Sequence, residues 1–385
     1  MALSTVQDNN KLVKFRNDFI VEWGRENLFS PYQGTEMTNI IQVINELKSG
    51  GEEINIPLIA RLRGNGRGSG TLVNNEESID DYGCRFRIDW ARNAVTMKKN
   101  ERHKQSADAF AQAKPLLSTW ADELRRDETV EALMALPSES AQANLGSDEG
   151  DRVCGIRYAA ASATQRNTWN SDNSDRVLYG NATGNYNATH ATALANVDTT
   201  ADLFTLGSSS LLKYVAKRAD PKIKPYKVTN GKEYFVAFHG SRTFRDLQAA
   251  LDAAGIDKDG RARENGGMNS NPLFQDGDEL YRGVIHVEVP EIDEYVENVW
   301  TSLLTAGANS GRVNPVFFCG QSALGMAIGQ MPKPTFRKED DYGFIEGSGI
   351  EMAYGIGKTF RKFPKGGTKL VQHGMVTGFF AASGV

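Results

Sequence analysis

The stretch that decides the fold leaves as Glu52-Glu53-Ile54-Asn55-Ile56-Pro57-Leu58-Ile59-Ala60-Arg61-Leu62-Arg63 and returns as Cys84-Arg85-Phe86-Arg87-Ile88-Asp89-Trp90. Ile54, Ile56, Leu58, Ala60 and Leu62 fall on every second position going out, and Cys84, Phe86, Ile88 and Trp90 do the same coming back. Alternation at period two places these side chains on one strand face and the polar ones on the other. Two such runs in succession predict an antiparallel hairpin over residues 52–97. Pro57 has no N–H to give a ladder, so the outgoing strand is an edge or bulged there. The connection from about Arg63 to Gly83 is far longer than a tight turn, and loops of that length tend to be functional. It opens Arg61-Leu62-Arg63-Gly64-Asn65-Gly66-Arg67-Gly68-Ser69-Gly70 and continues with Glu76, Glu77, Asp80 and Asp81, so it carries both signs of charge, separated along its length.

Upstream, residues 1–50 read as an arm. Phe15, Phe19, Ile20 and Trp23 are spaced for a short amphipathic helix, and Met37, Ile40, Ile41, Ile44 and Leu47 for a second, stopped by Gly50-Gly51. Downstream, Phe110, Ala113, Leu117, Trp120, Leu124 and Leu133 keep a period near 3.6, which predicts one long helix over residues 100–136. At about 1.5 Å per residue it would run roughly 50 Å, with a kink at Pro115 and a stop at Pro137. Residues 164–200 are rich in Asn and Thr and poor in large aliphatics, which predicts an irregular exposed insertion. Helix and strand signals then alternate. A helix holds Leu203 to Val215, Tyr234–Phe238 is a buried strand, and Ser241 caps a helix through Phe244, Leu247 and Leu251. Gly255–Gly267 is a turn-rich loop, Val284–Val289 and Pro315–Cys319 are strands, and Ser322–Gln330 is a Gly/Ala-rich helix. Residues 335–385 are strands punctuated by glycine. The fold class is α+β.

Composition excludes several classes. At 385 residues the chain exceeds one simple core, and two or three subdomains are expected. A net charge of −4 argues against a body that is basic throughout for nucleic acid. Cys84, Cys154 and Cys319 have no zinc or redox spacing and fit a reducing compartment. The N-terminal residues lack the basic-then-apolar pattern of a secretory signal, and no run approaches the ~18–20 apolar residues of a membrane span. No membrane association is expected.

The catalytic motifs fail on spacing. Counted from Gly64, the third glycine of a dinucleotide fingerprint would fall on Ser69; counted from Gly66, on Thr71. Gly357-Lys358-Thr359 would need glycine where Met352 stands to close a phosphate loop, and Asp257-Lys258-Asp259-Gly260 has its glycine two positions early for a calcium loop. His103, His190, His239, His286 and His373 show no metal-ligand pairing. No catalytic residue, cofactor or metal is predicted.

The order of elements, an arm, a long charged-tip hairpin, a long helix and a mixed α/β block, resembles the major capsid proteins of tailed bacteriophages, with their HK-ninety-seven-like fold. The wording is similar to the coliphage N-four-type family at Gly51 to Arg63, Asn75-Glu76-Glu77 and Ile88-Asp89-Trp90-Ala91-Arg92-Asn93-Ala94-Val95. It is similar again at Asn271-Pro272-Leu273-Phe274, Tyr281-Arg282-Gly283-Val284, Gly320-Gln321-Ser322-Ala323-Leu324-Gly325, Asp341-Tyr342-Gly343 and Gly355-Ile356-Gly357-Lys358. The resemblance spans about residues 36 to 363, and residues 164–200 have no counterpart in it.

The resemblance implies an arm over 1–50, an extended hairpin loop over 51–98 and a spine helix over 99–137. It further implies an axial domain over 138–334 and C-terminal strands over 335–385 that return to the peripheral domain. It implies pentamers and hexamers of this chain closing an icosahedral shell around phage double-stranded DNA. A portal protein, scaffolding and decoration proteins are the implied partners, with assembly in the bacterial host cytoplasm. Some members of the class weld the shell through a hairpin lysine, but residues 52–97 contain none, so closure is expected to be non-covalent. Arginine can grip carboxylates with two parallel bonds, so Arg61, Arg63 and Arg67 are the expected subunit-contact residues. Their expected partners on a neighbour are Glu76 and Glu77, the run Glu339-Asp340-Asp341, or the acids Glu288, Glu291, Asp293, Glu294 and Glu297. The alternative is a nucleic-acid-binding protein that uses the Arg/Gly-rich loop as a clamp.

Overall fold

The computed structural model describes residues 27–79, 81–104, 113–139, 150–229, 231–253, 279–337, 341–363 and 367–382. The chain runs through β1 (Gln33–Gly34), β2 (Ile41–Ile44), β3 (Glu53–Ile59), β4 (Asp81–Arg87) and β5 (Asp89–Lys98) into helices α1 (Lys99–Lys104) and α2 (Ala113–Met134). Next come β6 (Val153–Cys154), α3 (Ala163–Asp172), β7 (Val177–Tyr179), α4 (His190–Ala195) and α5 (Leu206–Arg218). β8 (Lys227–Thr229), β9 (Lys232–His239), α6 (Ser241–Ala253), β10 (Glu279–Tyr281), β11 (Val284–Glu288) and α7 (Glu291–Asn298) follow. The last strands are β12 (Val313–Cys319), β13 (Leu324–Phe336), β14 (Ile345–Lys358), β15 (Phe360–Phe363), β16 (Lys369–Gln372) and β17 (Met375–Ala381).

A seven-stranded sheet in the order β10-β11-β9-β12-β17-β7, with β8 on β9, carries the main core. β9 and β11 run parallel with α6 as their crossover, the usual way to join parallel neighbours. β12 is buried at every position, which is why it reads as a near-continuous apolar run rather than an alternating one. Phe235, Phe318 and Val376 from the sheet meet Leu212 of α5 and Leu247 of α6 in one cluster. The start of α6 differs from expectation: Ser241 is itself helical, and its hydroxyl donates to Glu288 at 2.5 Å. The Arg242 N–H is taken instead by the Asp293 carboxylate at 2.9 Å, a negative charge where the helix dipole favours one.

A second sheet follows the order β1-β2-β13-β14-β5, with β6 on β14. Two expected helices are strands here. Ile41–Ile44 is β2, parallel to β13 from Leu324 to Ala327, and its β-branched side chains suit a pleated surface better than a helix. Residues expected as the Gly/Ala-rich helix Ser322–Gln330 lead into and form β13. Their small size has another cause: a Cβ on Gly325 would stand 2.7 Å from the Phe86 ring, and one on Gly329 2.5 Å from Ile88 Cδ1.

The Asn/Thr-rich stretch is also ordered rather than an exposed insertion. It holds α3, β7 and α4, and buries Trp169, Asn170, Asn173, Tyr179, His190 and Leu194. Its asparagines bond backbone. Asn173 Nδ2 donates to the carbonyls of Trp169 at 2.9 Å and Leu370 at 3.1 Å, and Asn181 Nδ2 to those of Ala201 at 2.7 Å and Leu203 at 2.9 Å. Side-chain amides thus satisfy backbone that short elements leave unpaired.

The long helix is described as α1 and α2. Phe110 lies outside the described residues, as do the Phe15–Trp23 helix, the Gly255–Gly267 loop with Asp257–Gly260, and Asp340. Pro115 sits at the third residue of α2, which continues unbroken to Met134. Near its C-terminal end α2 buries charge. Glu128 accepts from Arg152 Nη2 at 2.6 Å and Nε at 2.9 Å and from the Tyr354 hydroxyl at 2.5 Å. Arg157 holds Asp151 at 3.1 Å and pairs with Glu131.

Two compact units divide the chain. The larger holds residues 28–90, 126–329 and 353–385 and contains the seven-stranded sheet and the hairpin. The smaller takes 91–125 and 330–352. Within it the Arg102 guanidinium meets Glu346 at 2.9 Å, the Lys99 N–H donates to the Phe344 carbonyl at 3.0 Å, and Phe336 and Tyr342 stand exposed.

Candidate subunit interface

β3 and β4 form a two-stranded antiparallel sheet of their own, registered from Glu53↔Arg87 to Ile59↔Asp81. The return strand is shorter than expected. It ends at Arg87, and Trp90 lies in β5, where it is exposed, because the chain turns a corner at Ile88 to enter another sheet. At the base Ile56, Cys84 and Phe86 bury one face against Ile44, Ala327 and Phe360, as the alternation requires. Pro57 stands opposite Gly83, in a ribbon that among the described residues has no further strand beside it.

Beyond the strands, side chains take over the pairing. Four residues further along each leg, the register of Ile59↔Asp81 brings Arg63 opposite Glu77. There the Glu77 carboxylate accepts from the Arg63 N–H at 2.5 Å and the Gly64 N–H at 2.7 Å. These two N–H groups hold the Glu77 carboxyl below the usual carboxylate range. Gly64 is needed for this approach: a Cβ there would lie 2.9 Å from Glu77 Oε2. A second rung follows, Arg67 Nη2 donating to Asn75 Oδ1 at 2.5 Å, and the Asn75 N–H closes the tip on the Leu72 carbonyl at 2.9 Å. Gly66 adopts φ +74, the left-handed region, which favours glycine. Gly64 and Gly66, counted above against a nucleotide motif, therefore shape a narrow tip.

The Arg63 guanidinium has a different partner. Nη1 and Nη2 donate to the two carboxylate oxygens of Asp220 at 2.6 and 2.7 Å, and Arg61 Nη2 stands 3.9 Å from the same group. Arg63 also lies 4.9 Å above the Phe363 ring. Bonding to Asp220 raises the Arg63 pKa, and Arg63 holds Asp220 below the usual range. The structure thus gathers Arg61 and Arg63 around Asp220, with Glu77 on the Arg63 backbone. Glu76 is exposed, Arg67 is within the tip, and Asp341 starts a short turn to Gly343. Acids offered as neighbour partners are answered in the same chain: Arg312 meets Asp293 at 3.0 Å and Glu297 at 2.6 Å, and Arg126 meets Glu291 at 3.4 Å. Asp220 was missed in the sequence because it lies 157 residues from Arg63 with no local pattern to mark it.

The hairpin's far half is apolar as well as charged. Ile59, Leu62, Leu72, Val73 and Ile79 are each between 63 and 72 % exposed. Its arginines face acids and an asparagine, so the loop is not a basic stripe and the nucleic-acid clamp gains no support. Among the described residues no group of His, Cys, Asp and Glu could hold a metal ion, and no helix is long and apolar enough to cross a membrane.

The hairpin projects apolar side chains from an α+β body, and a family model described as phage capsid protein matches residues 4–381. The chain belongs to that family, a structural and not an enzymatic one, and is a major capsid protein of the phage virion with the HK-ninety-seven-like fold. More particularly, it is similar to the capsid asymmetric unit of cyanophage Pam1, at 34% identity over 100% of both chains with a TM-score of 0.86. The capsid of Ralstonia phage GP4 shares the fold at 18% identity, over 99% of each chain, with a TM-score of 0.70. The acidic stable capsid of Helicobacter pylori bacteriophage KHP30 shares it at 12% identity, over 97% of this chain and 96% of that one, with a TM-score of 0.67. No curated protein matches this chain.

Proposed function

We propose that this subunit forms pentamers and hexamers that close an icosahedral shell around double-stranded phage DNA, with the hairpin laid over one neighbour and the 1–50 arm clasping another. One observation carries the reading: the hairpin exposes five large apolar side chains on an arm held out by side-chain rungs. Apolar surface of this kind rimmed by charge marks a protein contact. The contact set is Arg61, Arg63, Arg67, Glu76 and Glu77 on the hairpin with Asp340 and Asp341 of a neighbour. In it Arg67 and Glu76 supply polar contacts around the apolar tip, while Arg63 and Glu77 shape the arm. The remaining regions take the roles of spine (99–137), axial domain (138–334) and peripheral strands (335–385). The collinear stretches from Gly51 to Lys358 support a place beside the coliphage N-four-type branch. A portal protein, scaffolding and decoration proteins are the further partners, the packaged DNA is touched without sequence preference, and assembly takes place in the host cytoplasm.

The test removes the tip by joining Asn65 to Asn75. The shortened chain is expected to stay folded by circular dichroism and to yield no closed particles by sedimentation and electron microscopy. Normal particles from it would show that the tip, with Leu72 and Val73, is not the contact.

A further inference from the structure

Arg63 is tied in two directions. Its backbone N–H closes the two legs through Glu77, and its guanidinium grips Asp220 on the body of the same unit. Asp220 is anchored in turn. Its N–H donates to Asp175 Oδ2 at 2.8 Å. Asp175 holds the fully buried Arg176 at 2.9 Å, and Arg176 donates to the carbonyl oxygens of Pro221, at 3.3 Å, and Gln372. The route from the arm to the buried body is therefore continuous: Glu77, Arg63, Asp220, Asp175, Arg176. The Phe363 ring, with Arg63 and Arg361 both over it, adds a second contact at the same place.

We infer that Asp220 is a positioning residue for assembly, a latch that grips Arg63 within one subunit and aims the hairpin before a neighbour arrives. The inference rests on the reading of the hairpin as a subunit contact. Beyond the base that Ile56, Cys84 and Phe86 bury, the arm is two legs wide, and a two-stranded hairpin is only marginally stable without outside support. Fork-to-fork pairing of guanidinium with carboxylate fixes angle as well as distance, which a single hydrogen bond does not. An arm already aimed loses less freedom when it docks, so the latch acts on how readily subunits join rather than on how stably each one folds.

Spin labels at Ser69→Cys and Tyr214→Cys report the arm's direction in the unassembled subunit, because the native Cys84, Cys154 and Cys319 are all buried. With Asp220 present, a narrow distance distribution is expected. Asp220→Ala and Asp220→Asn should each broaden it about twofold and lower the yield of closed particles about tenfold, with circular dichroism unchanged. Both variants keep the backbone N–H that bonds Asp175, and the asparagine variant, nearly the same shape as aspartate, isolates the charge. The exchanged pair Arg63→Asp with Asp220→Arg should restore both readouts. Unchanged distances in both Asp220 variants would overturn the latch. So would loss of particles in Arg63→Ala but not in Asp220→Ala, which would put the arginine's partner on a neighbour and leave the hairpin contact standing. If the tip-shortened chain assembles normally, the tip's part in the contact falls, whatever the spin labels report.

Discussion

A Cβ built on Gly355 would stand 1.7 Å from the Arg87 carbonyl oxygen, a backbone atom that cannot step aside as a flexible side chain could. Gly355→Ala should therefore cost about 3 kcal/mol through overpacking at the corner where β4 gives way to β5. Gly68→Ala, with open space and an ordinary φ, should be neutral to within about 0.5 kcal/mol. Urea midpoints of the unassembled subunit compare the two. Histidine sets a second residue-scale behaviour. His190 lies between the hydroxyls of Tyr158 at 2.9 Å and Tyr179 at 2.7 Å, and Ser209, His286 and His239 form a buried chain with links of 3.0 and 2.8 Å. Burial pushes His190 and His286 down to about 3, and burial together with His286 pushes His239 well below its ordinary value. In the unfolded chain these rings bind protons below about pH 6.5, while the folded ones stay neutral. Stability contributed by neutral burial is thus whole above that pH and is lost as pH falls toward the folded values. The loss reaches about 1.4 kcal/mol per pH unit for each ring. Between pH 7 and 5 the urea midpoint should drop, and His286→Asn should shallow the dependence. A midpoint independent of pH would contradict this reading.

The buried charges on α2 belong to the scale of the element. Glu128 and Arg152 are 4 and 7 % exposed and answer each other directly, so removing one leaves the other charged and dry. Arg152→Ala should cost about 3–5 kcal/mol, and the pair Arg152→Met with Glu128→Gln distinctly less, as read by thermal unfolding. Elements were legible in the sequence where burial alone decides the pattern. β3, β4, β9, β11 and β12 stand where alternation or a continuous apolar run puts them. Legibility failed where distant partners decide. Gly325 and Gly329 read as a small-residue helix because nothing local announces that Phe86 and Ile88 press on them. Asn170 and Asn173 read as loop because their amides bond backbone that only the folded chain brings near. At the candidate contact, the arginines and the Gly-rich tip were visible, but Asp220 was not.

At the scale of the whole molecule, the hairpin has no lysine between residues 52 and 97, and guanidinium does not act as an acylated nucleophile at neutral pH. Particles boiled in denaturant should therefore release subunits of single-chain mass, and a ladder of covalent multimers on a gel would refute this. A shell closed by the proposed hairpin contacts, with exposed pairs worth at most ~1 kcal/mol each, would draw its strength from repetition, so small changes at one contact would be multiplied over every copy. The pairing of Arg63 with Glu77 carries a consequence for descent. Because that rung keeps the strand register, a residue gained on one leg below it would displace Glu77 from Arg63 and turn every outer side chain to the opposite face. Lineages can lengthen or shorten this arm below the rung only by matched changes on both legs. Arms of related subunits should accordingly differ there by even numbers of residues, while odd differences collect beyond Arg67 and Asn75, where no further rung counts them.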